Sequence, residues 1–181
     1  LSKNENRYVC TTKNKYTLKK ILLLSDTHSH IDEKILKYVD QADEVWHAGD
    51  IGNLEVTDTI KTLRPLRAVY GNIDDTSART EFPLDLRFRC EDTEVYMTHI
   101  GGYPKKYNAR VKAELDRQTP KIFICGHSHI LKVIYDKDYN LLHLNPGAAG
   151  IYGMHQVRTM LRFEIDKDQI KNLEIIELGK R

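Results

Sequence analysis

The chain is short of cysteine, of long apolar runs and of any excess of one charge. Its three cysteines, Cys10, Cys90 and Cys125, are an odd number without C-x-x-C spacing. That argues against a disulfide framework and for a reducing, cytoplasmic setting. The longest apolar runs span four residues, as in Ile21 to Leu24, whereas a membrane-spanning helix needs about 20; no membrane segment is expected. The formal net charge is only +2 over 181 residues. A domain that neutralises many backbone phosphates carries a far denser basic excess, so polymeric nucleic acid is not the expected partner.

What is present reads as a globular chain. Hydrophobic residues make up 40% and charged residues 30%, away from the composition of disordered sequences. Residues 1–18 are polar and basic (Lys3, Arg7, Lys13, Lys15) and are expected to form a loosely ordered extension, with 19–181 as one domain. A homo-oligomer is compatible with this composition.

The segments alternate in type. Ile21 to Leu24 suits a buried parallel strand, and Ile31, Ile35, Leu36 and Val39 have helical spacing behind Asp32. Glu44 to His47 predicts a second strand, Leu54 to Leu63 a helix stopped near Pro65, and Arg67 to Tyr70 a third strand. The second half reads as a hairpin (86–90 and 94–98), a helix (108–117) and further strands at 121–125, 131–135, 141–144, 158–165 and 170–177. Two packed sheets with outer helices accommodate this count.

Five polar motifs fall at predicted strand ends: Asp26-Thr27-His28, Gly49-Asp50, Gly71-Asn72-Ile73-Asp74, Thr98-His99 and Gly126-His127-Ser128-His129. In open α/β sheets ligands gather outside the carboxyl ends of strands, so these loops are expected to face one crevice. Each motif alone is weak. Together, in order, they offer two carboxylates, one amide and four imidazoles, a set suited to borderline transition ions. Residues i and i+2 of an extended segment point to the same side, which would let Asp26 and His28, or His127 and His129, converge. Gly49, Gly71 and Gly126 would allow sharp turns and remove side chains that crowd the ions.

The order D-x-H, G-D, G-N-x-D, H, G-H-x-H resembles the calcineurin-like metallophosphoesterase superfamily, in particular its small bacterial and archaeal phosphodiesterase branch, from about Lys20 onward. Asn145-Pro146-Gly147-Ala148 is similar to that branch's N-P-G loop. The resemblance implies a four-layer α/β/β/α sandwich of two mixed sheets. It also implies two divalent ions: Asp26, His28 and His129 on the first, Asn72, His99 and His127 on the second, and Asp50 bridging. Manganese leads among the candidate metals, before Fe²⁺, Zn²⁺, Ni²⁺ or Co²⁺. Asp50, Asn72 and His99 are then the residues expected at the reaction centre, where a hydroxide between the ions attacks phosphorus. Asp74 is expected to support the site by a hydrogen bond to Asn72 or to a ligand imidazole.

The implied activity is hydrolysis of a small phosphodiester. Alternatives are a phosphomonoesterase, a nuclease, or a non-catalytic scaffold on the same fold, as in the retromer subunit that resembles this branch. Many relatives carry His after the Asn as a general acid; here Ile73 stands there, so substrates with acidic leaving groups are expected. His30 reads as a solvated loop residue, and His47 suits either support of Asp50 or a satisfied interior histidine. His143, His155 and Cys125 read as structural, and Arg64, Arg67 and Arg79 as a solvated face.

Overall fold

The computed structural model describes residues 18–181, so the expectation for the N-terminal extension and for Cys10 lies outside the described residues. Two five-stranded sheets face each other. The first has the order β10-β9-β1-β2-β3, from β1 (Lys19–Leu24), β2 (Glu44–His47), β3 (Leu66–Ala68), β9 (Val157–Asp166) and β10 (Gln169–Lys180). The second has the order β4-β5-β6-β8-β7, from β4 (Asp85–Cys90), β5 (Thr93–Thr98), β6 (Ile122–Ile124), β7 (Lys132–Asp136) and β8 (Leu141–Asn145). Both sheets are mixed: β1, β2 and β3 run parallel, as do β5, β6 and β8, while β9, β10, β4 and β7 pair antiparallel.

The layering follows from strand alternation. Ile21 and Leu23 of β1 point into the core between the sheets, with Trp46, Met97, Ile124 and Phe163. Leu22 and Leu24 point the other way, against Ile35 and Val39 of α1 (Glu33–Val39) and Val56 and Ile60 of α2 (Glu55–Leu63). On the far face of the second sheet, Tyr96, Phe123 and Leu141 pack on Val111 and Leu115 of α4 (Ala109–Arg117). A strand buried on both faces must be apolar at every position, which is why β1 reads Ile-Leu-Leu-Leu without alternation. The result is the expected α/β/β/α sandwich.

Two elements differ from the sequence expectation. The third strand spans Leu66–Ala68; Val69 still donates to His47 O (3.1 Å), but Tyr70 turns away to Pro83 O (3.1 Å). A short helix, α3 (Thr76–Glu81), follows the Asn72 loop, capped by the Asp75 side chain on the Ala78 N–H. Its six residues bury only Ala78, so no helical period betrays it.

Candidate metal centre

Five loops leave the carboxyl ends of β1, β2, β3, β5 and β6 and meet at one edge of the sandwich. Asp26 and His28 follow β1, Asp50 follows β2, Asn72 follows β3, His99 follows β5, and His127 and His129 follow β6. They form two neighbouring groups. Asp26, His28 and His129 each offer one ligand atom within 4.8 Å of the others, and so do Asp50, His99 and His127. Asn72 joins the second group, its Oδ1 lying 3.2 Å from His99 Nε2. Asp50 lies between them: Oδ1 is 3.1 Å from His99 Nε2 and Oδ2 is 3.7 Å from His28 Nε2.

The backbone reaches this arrangement by turning, not by extension. Asp26 (φ 54°), His28 (φ 48°), Asp50 (φ 52°), His127 (φ 67°) and His129 (φ 55°) all occupy the left-handed region. Side chains rarely adopt it, and such residues cluster at functional sites. This corrects the expectation that Asp26 and His28, and His127 and His129, converge from extended segments. The glycine expectation holds for crowding, since a Cβ on Gly49 would lie 2.7 Å from His99 Nδ1, one on Gly71 would overlap Asp50 Oδ1 and one on Gly126 would lie 2.9 Å from Asp26 Oδ2; of the three, Gly49 alone takes a left-handed turn (φ 91°).

The polar groups are arranged as a cation receptor. His99 Nδ1 donates to Ala48 O (2.8 Å), which leaves Nε2 facing the oxygens of Asp50 and Asn72. Burial alone would lower the His99 pKa, but hydrogen bonding and charge from Asp50 and the charge of Asp26 raise it; Asp50 is in turn held below its ordinary value against its own burial, chiefly by His99. Asp26 Oδ2 accepts from Ser25 Oγ (2.6 Å) and from the His127 N–H (3.1 Å). Its Oδ1 is buried and has no hydrogen-bond donor, while facing His129 Nε2 at 3.2 Å. A buried carboxylate oxygen without a partner is costly, and a cation placed among these atoms removes that cost. The residues therefore fit two divalent ions.

Asp74 is buried as expected of a supporting carboxylate, but its partners differ. It accepts from the backbone N–H groups of Gly52 (2.8 Å) and Gly71 (2.6 Å), clamping the loops that carry Asp50 and Asn72. His47 supports the first turn: Gly49 N–H donates to its Nδ1 (3.2 Å), and Nε2 meets Thr27 Oγ1 (2.9 Å). Burial lowers its pKa to about 4, so it is neutral.

His30 stands apart, 3.2 Å from Asp32. Arg64 and Arg67 are also remote, paired with Asp40 and Glu44. Arg79, by contrast, is no free surface residue. It donates to Asp74 O (2.7 Å) and Asn72 O (3.2 Å) and lies over the Tyr70 ring.

Sequence reasoning missed His155. Its Nε2 donates to Gly150 O (3.0 Å) and its Nδ1 lies 3.2 Å from His129 Nδ1. A carbonyl only accepts, so a neutral His155 carries its proton on Nε2 and accepts from His129 at Nδ1. His129 Nε2 then presents a lone pair to Asp26 and His28. No spacing links His155 to the ligands, because the contact is made by the loop folding back after Gly150.

Comparison with known proteins gives the family. The profile of the calcineurin-like phosphoesterase superfamily domain matches residues 20–168. The chain belongs to the calcineurin-like phosphoesterase superfamily. A protein named probable metallophosphoesterase from Methanothermobacter thermautotrophicus is 26% identical over 164 residues, covering 87% of this chain and 91% of the relative. Among solved structures, wild-type Vps29 from Entamoeba histolytica in complex with zinc aligns with a TM-score of 0.68 at 19% identity, covering 87% of this chain and 98% of Vps29. The structure of an archaeal phosphodiesterase aligns with a TM-score of 0.65 at 22% identity, over 88% of this chain and 99% of that one. At these identities the solved structures speak for the fold alone.

Among the described residues, no helix is long and apolar enough to cross a membrane. Cys90 and Cys125 are free and buried.

Proposed function

We propose that this chain is a phosphodiesterase that hydrolyses small phosphodiesters at a centre of two divalent transition ions. The observation that carries the reading is the pair of neighbouring ligand groups with Asp50 facing both, and with Asp26 Oδ1 of the first group buried and without a hydrogen-bond partner. Asp26, His28 and His129 would hold one ion and Asn72, His99 and His127 the other, with Asp50 serving both. Four imidazoles favour a borderline metal, manganese foremost, over calcium or magnesium. Bound ions supply Lewis acidity at a phosphoryl oxygen and a water of lowered pKa.

The chain's own residues do the rest. Ala48 O and the His155 pair fix the ring orientations of His99 and His129, and Asp74 and Arg79 hold the Asp50 and Asn72 loops in register. Ile73 places its N–H, 3.1 Å from Asp50 Oδ1, and an exposed aliphatic side chain at the position where a general acid would serve. Protonation of the leaving group is thereby left to solvent, which favours acidic leaving groups. The buried free thiols support a reducing, cytoplasmic location. A scaffold on this fold has no need of seven converging ligands, and here all seven converge.

The test is turnover of an aryl phosphodiester and of a matched alkyl diester with Mn²⁺, Ni²⁺, Co²⁺ or Zn²⁺. The aryl ester is expected to react faster, and Asp50→Asn to lose at least about 100-fold in rate. A wild-type chain inactive with every metal would contradict the reading.

A further inference from the structure

A cavity of about 280 Å³ opens beside the second ligand group, with His127 in its wall. Its other polar walls are Lys106, Lys132, Tyr103, Ser128, Asn145 and Asn108, the last spent on Ile100 O and the Val111 N–H, and no carboxylate lines it. Lys106 comes from the loop between β5 and α4, and Lys132 from the first position of β7. Their ammonium groups lie over the same ring, that of Tyr103, at 5.9 and 4.4 Å from its centroid. Neither makes an ion pair among the described residues. Elsewhere on the chain Lys19, Lys61, Lys112 and Lys171 do make ion pairs, with Glu44, with Asp58 and Glu81, with Asp116 and with Asp166.

Ser128 adds a third donor, and its availability follows from counting. A hydroxyl accepts twice and donates once. Ser128 Oγ accepts from the Ile130 N–H (3.3 Å) and from Asn145 Nδ2 (3.2 Å), so its proton has no acceptor within the described residues. Asn145 is 2% exposed and is itself fixed, donating to Gly126 O (2.8 Å) and accepting from the Gly147 N–H (3.0 Å). The Asn-Pro-Gly segment thus turns the serine's lone pairs inward and its proton outward.

The Tyr103 loop is held from inside as well. Gly102 O accepts from His143 Nε2 (3.1 Å) and Cys125 Sγ (3.4 Å), and Lys106 N–H closes a turn on Tyr103 O (2.7 Å). Two buried residues without a part in the metal centre therefore set the position of the aromatic platform on which both lysines rest.

Two unpaired ammoniums, an unspent hydroxyl proton and no acceptor carboxylate describe a receptor for a doubly charged, tetrahedral anion. We infer that this cavity is a subsite for a second phosphoryl group, carried on one ester arm of the substrate and bound by Lys106, Lys132 and Ser128. The assignment of that group to a substrate arm rests on the phosphodiesterase reading; the anion receptor itself does not. The substrate class narrows accordingly to diesters bearing an additional phosphate, with an apolar or planar portion free to lie against Tyr103 and Ile100.

Two measurements test this. The first uses p-nitrophenyl ethyl phosphate and p-nitrophenyl 2-phosphoethyl phosphate, which share a leaving group and differ in the second phosphate. The phosphorylated ester is expected to show a KM about tenfold lower, and the Lys106→Ala/Lys132→Ala variant to collapse that ratio towards one. Equal KM values in the wild type, or a ratio that survives the double substitution, would overturn the inference. The second uses the chelator-treated chain, needs no turnover, and follows backbone amide shifts as inorganic phosphate is added. Saturable shifts at Ser128, Lys106 and Lys132 that vanish in the double variant support the subsite even if no ester is hydrolysed. Their absence, or their persistence in the double variant, overturns it.

Discussion

Five of the seven proposed ligands occupy the left-handed backbone region, and their neighbours have little room to vary. Gly71 shows it directly: a Cβ there would overlap both the carboxylate and the backbone of Asp50. Gly71→Ala is expected to keep its secondary structure by circular dichroism while losing about 100-fold in turnover, since displacement of a reacting group by about 1 Å has that cost. Turnover within twofold of wild type would show that Asp50 tolerates the shift. His155 gives a second residue-level test. His155→Ala removes the acceptor that fixes the His129 tautomer and is expected to weaken binding of one of the two ions about 10- to 100-fold. His155→Asn can offer an oxygen at the same reach and should recover much of that affinity. Equal affinities in wild type and His155→Ala, read by isothermal titration, would dismiss the relay.

The seven proposed ligands were legible in the sequence because carboxylate, amide and imidazole groups at five strand ends have few other uses together. Their backbone geometry was not, because Asp and His, although enriched among left-handed residues, adopt that turn too seldom for their presence to reveal it. His155 and the Lys106, Tyr103 and Lys132 cluster were hidden for another reason: each is assembled from segments distant in the chain.

At the scale of elements, the strands and most helices followed from apolar patterning and turn residues. The exceptions had weak patterns: α3 buries a single alanine, and β3 ends early when Tyr70 leaves the ladder. One cap carries measurable stability. Asp32 caps α1 through the Ile35 N–H (3.0 Å) and also binds Arg158 (2.9 Å), which is 4% exposed. Partial burial pushes the Asp32 carboxyl up, but hydrogen bonds from Arg158, Ile35 and His30 overcome it and bring the pKa down to about 2 from 3.8. A depressed folded-state pKa contributes stability that is complete above the unfolded value and is lost as pH falls through the folded one. Asn also caps helices well, so Asp32→Asn isolates the charge. It is expected to cost about 1–2 kcal/mol at neutral pH after solvent screening, with the difference from wild type shrinking between pH 4 and pH 2. Urea unfolding across that range measures it; a gap independent of pH would remove the charge from the explanation.

The whole molecule explains why the site lies at the seam. Asp26, His28, Asp50 and Asn72 follow strands of the first sheet, and His99, His127 and His129 follow strands of the second. Each ligand group therefore draws from both sheets, and each ion would tie them together. Binding to the folded chain alone adds stability by mass action, about 2.7 kcal/mol at a free metal concentration 100 times Kd.

The proposed centre holds two ions, not one. Metal content of the purified chain is measured after equilibration with Mn²⁺ and removal of excess, beside that of Asp26→Ala and His127→Ala. Close to two ions are expected per wild-type chain and close to one in each variant. A wild-type content of one ion or none would contradict the two-ion centre.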